Sequence, residues 1–324
     1  MRTKRRFHWI VAVVAAGALA LAGCSSGEDD PDSENAKESS ATYAVITHAS
    51  PGDTFWDVVK NGAEDAGEQY GVTVEYHSNP DPAQQSQLID QAVSKGVDGI
   101  AVSMANPDAL RESISKAVAA GIPVVTLNSG VESFASVGAI THVGQTETIA
   151  GQQAAQRLKA AGVTKLLCVI EEVGNVALDQ RCNGATEVFG SSAERLQVDV
   201  SNVAEANSKI KARLQADSTI DGVLTLNPLI AIAARDAIKE TGSSAKLATF
   251  DLSGDVVDAI KAGEILWAID QQQYLQGWLP ITFLHLYTIN KNTVGGGLPV
   301  LTGPGFVTAE NADAVAELAR QGTR

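Results

Sequence analysis

The sequence is poor in cysteine, in basic residues and in clustered histidine, and each shortage excludes a class of protein. Three cysteines in 324 residues are too few for a disulfide scaffold. Asp and Glu number 38 against 24 Lys and Arg, which gives a formal charge of −14. Because phosphate binding needs clustered basic residues, nucleic acid is not expected as a partner. The five histidines are scattered without ligand spacing, so the sequence predicts no metal site and no cofactor.

The N-terminal segment has the pattern of an exported protein. Four basic residues lie among the first six, and an apolar run from Trp9 to Ala22 follows, which is short for a membrane-spanning helix. The run ends in Leu21-Ala22-Gly23-Cys24, which resembles the lipobox of bacterial lipoproteins. That resemblance implies cleavage before Cys24 and lipidation of this cysteine; an uncleaved anchor is the alternative. We therefore predict a signal peptide over 1–23 and a lipidated, flexible tether over 24–41.

From residue 42 onward, short apolar runs alternate with helical patterns. The runs are rich in Val and Ile and do not alternate with polar residues, which is typical of parallel strands buried on both faces. The helical patterns include 54–70 and 84–95, where apolar residues recur on one face. This order predicts an α/β fold with doubly wound parallel sheets. The predicted strands are Tyr43–Thr47, Thr73–Tyr76, Gly99–Val102, Val124–Leu127, Leu166–Ile170, Val223–Leu226, Leu247–Phe250 and Ile265–Ile269.

The alternating pattern occurs twice, at a nearly constant distance along the chain. Asn128, after one strand, corresponds to Asp251, which lies 123 residues later after another strand. Asn61-Gly62-Ala63 recurs 122 residues later as Asn183-Gly184-Ala185. Chance alignment of βα units is the alternative. Several anchors that share one offset favour two lobes of the same topology.

Two lobes in one chain require the backbone to cross between them. We predict an N-terminal lobe from 42–143 plus 272–298 and a C-terminal lobe from 144–271 plus 299–324. A hinge of three crossings joins them. The glycines at 295–297 could supply flexible backbone near the last crossing.

Polar side chains follow the predicted strands directly. In sheets of this class, ligands bind beyond the carboxyl ends of the strands, so these residues are candidates for a site in the cleft between the lobes. Nearly all of them can form hydrogen bonds, although polar residues are common in solvated loops as well. The residues are His48, Ser103, Asn128, Glu171, Asn227, Asp251 and Gln271.

The order and spacing of these features resemble the sugar-binding proteins of ABC importers, of the ribose/galactose-binding type with the type I periplasmic-binding-protein fold. The resemblance extends from about Tyr43 to Thr308. It implies that Asp53, Phe55 and Trp56 lie at ligand positions, where the two aromatic rings stack on the sugar. Together with His48 and Ser103, which follow predicted strands, the resemblance gives the predicted ligand-binding set: His48, Asp53, Phe55, Trp56, Ser103, Asn128, Ser129, Asp179, Asn227, Asp251 and Gln271.

The sequence departs from the family pattern in its basic residues. Asn128 and Ser129 stand where the family usually has Asp-Arg. Asp179 stands at the position of a usual arginine, with Arg181 two residues further on. We therefore expect a pocket poor in cations, which disfavours anionic ligands. Carboxylates in the candidate set would accept hydrogen bonds from hydroxyl groups, so the expected ligand is a neutral small sugar or polyol.

Several candidate residues also have a simpler structural interpretation. Asp53 suits the N-cap of the helix at 54–70, and Asp251 suits a turn. Phe55 and Trp56 could be core residues at the start of that helix. The position of each side chain relative to the cleft distinguishes the two interpretations.

These features predict an extracytoplasmic solute-binding lipoprotein of an ABC importer, attached to the cell membrane by its lipid anchor. Ligand would close the two lobes about the hinge, and permease subunits in the membrane would recognise the closed form. We expect a monomer. A receptor that passes the ligand state to a signalling partner is the alternative, since the sequence does not distinguish transport from sensing.

Two other classes of protein have less support. The predicted strands are followed by no G-x-S-x-G elbow, and the sequence contains no H-E-x-x-H motif, so we expect no enzyme. A cell-envelope enzyme acting on glycosides stays open as an alternative because Asp53 and Asp251 could do acid/base work. A transcription repressor of this fold would need a basic helix-turn-helix at its N-terminus, where the lipoprotein leader stands instead.

Two cysteines remain after the lipobox cysteine. Cys168 lies late in a predicted strand, and Cys182 lies 14 residues further on in a helix. An exported location permits oxidation, so a disulfide between them is expected. Two buried thiols are the alternative.

Overall fold

The computed structural model describes residues 40–324, in which strands and helices alternate along the chain. The predicted signal peptide, Cys24 and nearly all of the predicted tether lie outside the described residues. The strands are β1 Thr42–Thr47, β2 Thr73–Ser78, β3 Gly99–Ser103, β4 Val124–Asn128, β5 His142–Gly144, β6 Leu166–Ile170, β7 Ala193–Gln197, β8 Gly222–Thr225, β9 Lys246–Phe250, β10 Trp267–Asp270, β11 Val300–Leu301 and β12 Gly305–Thr308. The helices are α1 Thr54–Tyr70, α2 Pro82–Lys95, α3 Pro107–Ala119, α4 Glu147–Ala160, α5 Val176–Phe189, α6 Val203–Ala216, α7 Pro228–Thr241, α8 Gly254–Lys261, α9 Gln273–Asn290 and α10 Ala312–Gln321.

The strands form two six-stranded sheets of matching order. The N-terminal lobe has the order β11-β5-β4-β3-β1-β2, and the C-terminal lobe has the order β12-β10-β9-β8-β6-β7. Neighbouring strands are parallel except for the antiparallel pair of β10 and β12. Strands one to five of the first lobe therefore correspond to strands six to ten of the second. The predicted fold class, two doubly wound lobes of one topology, is confirmed.

Each sheet is buried on both faces, as the sequence pattern predicts. In β1, Tyr43 and Val45 join one apolar cluster, while Ala44 and Ile46 join a second cluster on the opposite face. Successive side chains of a strand point to opposite faces, so both faces of this strand need apolar residues. Two further clusters cover the two faces of the other sheet.

The chain crosses between the lobes at three places. After β5 it continues into α4, which packs on α5 of the C-terminal lobe; after β10 it continues into α9, which packs on α1 of the N-terminal lobe. The third crossing joins β11 to β12. It comes later than the predicted boundary at residue 298, because Val300 and Leu301 still pair with β5 in the first sheet. A two-residue strand carries too little pattern to be recognised in a sequence.

The recurring Asn-Gly-Ala motif has a packing role. A Cβ atom on Gly62 of α1 would overlap the carbonyl oxygen of Tyr274 in α9, and one on Gly184 of α5 would overlap the carbonyl oxygen of Thr148 in α4. Gly62 therefore allows α1 to contact the backbone of α9, and Gly184 allows α5 to contact the backbone of α4. In each pair one helix, α9 or α4, is the first helix after a crossing. The duplication preserves this contact in both lobes.

A disulfide joins Cys168 of β6 to Cys182 of α5, with a Cα–Cα distance of 6.0 Å. Both cysteines are buried in the apolar cluster between the sheet and the helix. The expected pairing is therefore present, and it ties α5 to β6, the strand beside the edge strand β7. Within residues 40–324, no helix is long and apolar enough to cross a membrane.

We expect Gly62→Ala to lower the free energy of unfolding by about 1–3 kcal/mol, because the added methyl group meets backbone that cannot move freely. Urea denaturation measures this change. Gly254→Ala is the matched control: its Cβ would meet chiefly the flexible side chain of Arg320. Equal stability of the two variants would contradict the packing role of Gly62.

Removal of the disulfide should lower stability by about 3 kcal/mol, since a loop of this length restricts the unfolded chain by that amount. The double variant Cys168→Ala, Cys182→Ala tests this in the same denaturation assay. Alkylation of the denatured Cys24→Ser variant, which retains only Cys168 and Cys182, should change its mass only after reduction. Alkylation of this variant without reductant would show that these two thiols are free.

Candidate functional site

A small cavity of about 30 Å³ lies between the carboxyl ends of the two sheets. This volume has room for little more than one or two water molecules and is well below the roughly 300–1,000 Å³ typical of small-molecule sites, so the walls must separate somewhat to hold a ligand. Nine predicted site residues line it: His48, Asp53, Phe55, Trp56, Asn128, Ser129, Asn227, Asp251 and Gln271. Seven further residues complete the lining: Glu171, Glu172, Asn175, Ala177, Leu178, Arg181 and Leu226. Strand-end residues of both lobes thus lie together at one cavity.

His48 follows β1 and is held by a residue behind it. The Ser103 hydroxyl lies 2.7 Å from His48 Nδ1 and accepts from the His48 backbone N–H at 3.1 Å. Ser103 is fully buried and does not line the cavity, so it orients His48 rather than facing a ligand. Burial, with a smaller effect of Arg181, lowers the pKa of His48 to about 3, which leaves the imidazole neutral.

Asp53 both caps α1 and lines the cavity. Its Oδ1 accepts from the Phe55 backbone N–H at 3.2 Å and from Asn227 Nδ2 of the other lobe at 3.1 Å. Burial, followed by the nearby Glu172, raises the pKa of Asp53 to about 6. Asp53 is therefore the N-cap of α1 and also faces the cavity, so the two interpretations of this residue do not exclude each other.

Phe55 and Trp56 belong to the first turn of α1 and are nearly buried. Their rings pack edge to face at 5.0 Å between centroids, and Trp56 meets His48 in the same way at 4.7 Å. The aromatic group forms an apolar wall on the N-terminal side of the cavity. Such a wall suits the CH-rich face of a polyol or sugar.

Asn128 and Asp251 occupy equivalent positions in the two lobes, and both have left-handed backbone conformations. Their φ angles are 60° and 69°. Asn and Asp tolerate this conformation better than other side chains, which explains these residue types at the ends of β4 and β9. Gln271 connects them: its Nε2 donates to Asp251 Oδ1 at 2.8 Å, and its Oε1 accepts from Asn128 Nδ2 at 3.3 Å.

Arg181 gives the cavity one buried cation, which the expectation of a cation-poor pocket did not include. Its Nε donates to Glu147 Oε2 at 2.6 Å, and its Nη2 donates to Glu147 Oε1 at 3.2 Å. Its Nη1 lies 3.9 Å from Asp251 Oδ2. Burial raises the pKa of Asp251 to about 7, although the guanidinium opposes that effect. The sequence signal for Arg181 was its place two residues beyond the expected position.

Asp179, in contrast, lies outside the cavity, which corrects its predicted role. Its side chain is 50% exposed and pairs with Arg195 at 3.2 Å. Residues two apart on a helix point about 200° apart, so Asp179 faces solvent when Arg181 faces the cavity. An error of two residues in aligning the sequence with the family pattern therefore selects Asp179 on the surface in place of Arg181 at the cavity.

Three polar residues of the loop before α5 complete the site. Asn175 caps α5 by accepting from the Ala177 backbone N–H at 3.0 Å, and its Nδ2 donates to Glu172 at 2.7 Å. Glu171 follows β6 directly and was on the strand-end list, whereas sequence reasoning missed Glu172 and Asn175. An N-cap Asn before an apolar helical pattern was the available signal for Asn175.

The two lobes contact each other across the cavity. Besides the bond between Asn227 and Asp53, Asn175 lies 3.3 Å from both His48 Nε2 and the Ser129 hydroxyl. The Val176 backbone N–H donates to the Ala105 carbonyl oxygen at 3.0 Å. The lobes are therefore in a closed arrangement. Among the described residues, no cluster of His, Cys, Asp and Glu could hold a metal ion.

Comparison with known proteins agrees with this geometry. Residues 43–292 match the family model of the periplasmic binding protein domain. The crystal structure of a carbohydrate transporter from Acidothermus cellulolyticus in complex with myo-inositol is 44% identical in sequence. It has a TM-score of 0.86, and the match covers 88% of this chain and 100% of that one.

Two more distant relatives are named as binding proteins. The xylitol-binding protein of Mycolicibacterium smegmatis is 25% identical over 268 residues, which are 79% of this chain and 74% of the relative. The xylose/arabinose-binding protein of Sulfolobus acidocaldarius is 25% identical over 240 residues, or 69% of this chain, and the match spans 60% of that relative. These names agree with the expectation that the protein is not an enzyme. This chain belongs to the periplasmic binding protein family and has the type I fold of the sugar-binding proteins of ABC transporters.

Proposed function

We propose that this protein is an extracytoplasmic solute-binding lipoprotein of an ABC importer, and that it captures a neutral small sugar or polyol by closure of its two lobes. The observation that carries the proposal is the polar cavity enclosed between the lobes. Each wall comes from a different lobe, so a ligand contacts both walls only in the closed arrangement. Ligand binding therefore stabilises that arrangement.

The polar groups of the cavity suit a ligand with many hydroxyl groups. Carboxylates accept hydrogen bonds, guanidinium donates them, and side-chain amides do both. A hydroxyl can donate and accept at once, so a polyol can satisfy such a mixed set. Hydrogen bonds to charged groups contribute roughly 1.5–3 kcal/mol each. The carboxyl groups outnumber the arginine, which disfavours an anionic ligand.

The size of the cavity and the relatives narrow the class of ligand. The cavity of about 30 Å³ must widen to admit any ligand, which favours a single ring or a short chain of carbon atoms over an oligosaccharide. The Acidothermus relative was crystallised with myo-inositol, and the Mycolicibacterium relative is named for xylitol. We infer that a cyclic or acyclic polyol of this size, with inositol as the first candidate, is the ligand here.

Attachment to the membrane is proposed from the lipobox. Acyl chains on Cys24 would contribute about 0.8 kcal/mol per buried CH₂ group and hold the protein at the membrane. The tether over 24–41 would let the folded lobes reach a permease. The closed lobes would present their two rims together, so the permease can distinguish a loaded protein from an empty one.

Wild-type protein should bind myo-inositol or xylitol in preference to sugar acids. Isothermal calorimetry with myo-inositol, xylitol, ribose, glucose and glucuronate measures the affinity of each compound and so the order of preference. At a ligand concentration of about one hundred times Kd, stabilisation of about 2.7 kcal/mol should raise Tm by several degrees. Tightest binding to glucuronate, or release of any ligand in a chemically altered form, would refute a neutral-polyol binding protein.

Trp56→Ala and Asp251→Asn should each weaken binding of the preferred polyol at least tenfold, an effect of about 1.4 kcal/mol or more. The first removes the apolar wall, and the second removes a charged acceptor. Asp179→Asn is the matched control, since this carboxyl group lies on the outer face of α5, and its affinity should equal that of the wild type. Circular dichroism checks folding. Unchanged affinity in both cavity variants would invalidate the site.

A further inference from the structure

One buried carboxyl group of the cavity has an oxygen without a partner. Glu171 is 5% exposed and lines the cavity, and its Oε2 accepts no hydrogen bond from the residues that the structure describes. Buried charges in proteins are normally paired or hydrogen-bonded because their desolvation is costly. A donor from outside the chain therefore suits this position.

The other carboxyl groups of the cavity already have partners. Asp53, Asp251 and Glu172 each accept a hydrogen bond from a side-chain amide. Arg181 makes its two shortest ionic contacts with Glu147, which lies outside the cavity lining. Four carboxyl groups thus share the cavity with one guanidinium, whose charge is balanced by Glu147. The cavity has hydrogen-bond acceptors in excess.

The surroundings of Glu171 supply no further cation. A second cavity of about 240 Å³ adjoins the first, and Glu171 and Glu172 line both. Asp199 also lines the second cavity, and its lining residues include no Lys or Arg. The charged groups that act on Glu171 are Glu172, Asp53 and Arg181, of which the first two repel a negative charge. His48, which lines both cavities, is neutral.

We propose that the site also takes polyols or sugars that carry a protonated amine, with the Glu171 carboxylate as the counter-ion of the ammonium group. The proposal rests on the proposed function and extends its ligands from neutral polyols to amino polyols. An ammonium group donates up to three hydrogen bonds and accepts none, which matches a cavity with acceptors in excess. It also supplies a second positive charge to a cavity that has one arginine and four carboxyl groups.

Ionisation of Glu171 gives this interaction a distinctive dependence on pH. Burial first, and then the charges of Glu172 and Asp53, raise the pKa of Glu171 well above its usual value. The empty site therefore holds a proton on Glu171 in mildly acidic solution, and an ammonium group must displace it. Affinity for an amine then rises with pH as Glu171 ionises. The affinity for a neutral hydroxyl group at the same place does not rise with pH in this way.

Calorimetry with two matched pairs tests the proposal. The pairs are scyllo-inositol with scyllo-inosamine, in which an amine replaces one of its equivalent hydroxyls, and D-glucose with D-glucosamine. We expect the amine of at least one pair to bind more tightly than its neutral partner. The ratio of their affinities should grow at least about tenfold between about pH 5 and pH 7, where the amine stays protonated.

Glu171→Gln supplies the residue-specific readout, since it keeps the side-chain volume and removes the charge. The ratio of amine to neutral affinity at pH 7 should fall at least tenfold in this variant, and it should rise less steeply with pH than in the wild type, because only Asp53 and Asp251 then ionise in this range. Asp179→Asn, the same change on the outer face of α5, should keep the wild-type ratio and its pH dependence.

Three results would overturn the inference. Neutral members that bind at least as tightly as the amines at both pH values would exclude an ammonium site while leaving the proposed function intact. A wild-type ratio in Glu171→Gln would exclude Glu171 as the counter-ion. If none of these four compounds binds, and none of the compounds in the calorimetry of the proposed function binds either, the proposed function is rejected together with this extension of it.

Discussion

Backbone contact between α4 and α5 determines where the guanidinium of Arg181 lies. A Cβ atom on Gly151 of α4 would overlap the backbone of Arg181 itself, so the two helices meet at the residue that enters the cavity. This approach brings Glu147, the first residue of α4, into bidentate contact with Arg181. Both side chains are buried, and such a pair is tolerable only when its hydrogen bonds are satisfied in this way. The charge of the cavity therefore depends on glycines that never face it.

Glu147 enters the C-terminal lobe from the first crossing, which links the cation of the site to the hinge. Gln145, in that crossing, donates from its Nε2 to Glu147 Oε2 at 2.9 Å. On the cavity side, Arg181 approaches Asp251, which accepts from Gln271 in the second crossing. A continuous set of polar contacts thus runs from one crossing to the other through the ligand-facing groups. A ligand that contacts Asp251 acts on side chains that also hold the hinge.

The duplicated pattern in the sequence predicted the architecture because both lobes must meet the same physical requirements at their strand ends. Strand ends that face one cleft need polar residues, and residues with left-handed backbone favour Asn and Asp, so Asn128 and Asp251 are detectable from the sequence. Arg181 was not assigned because a helix turns about 200° in two residues, and the choice between positions 179 and 181 needs the helix orientation. Glu172 lies in a loop without periodicity. Its place in the cavity depends on how the lobes meet, which no local pattern encodes.

The three crossings are bonded to one another, which constrains how the lobes can move. Gln276 Nε2 donates to Gln271 Oε1 at 2.8 Å and lies 3.2 Å from the Thr302 hydroxyl of the third crossing. The Thr302 backbone N–H donates to the Gly144 carbonyl oxygen at the first crossing, at 2.7 Å. The bonds of Asn175 to the opposite lobe, at 3.3 Å, lie at the cavity instead. If the lobes open about the crossings, as the proposed function requires, the contacts at the cavity separate while those at the crossings stay close to the axis of rotation. Closure and ligand affinity would then depend on the same interactions, because the contacts that a ligand reinforces are those that opening would break.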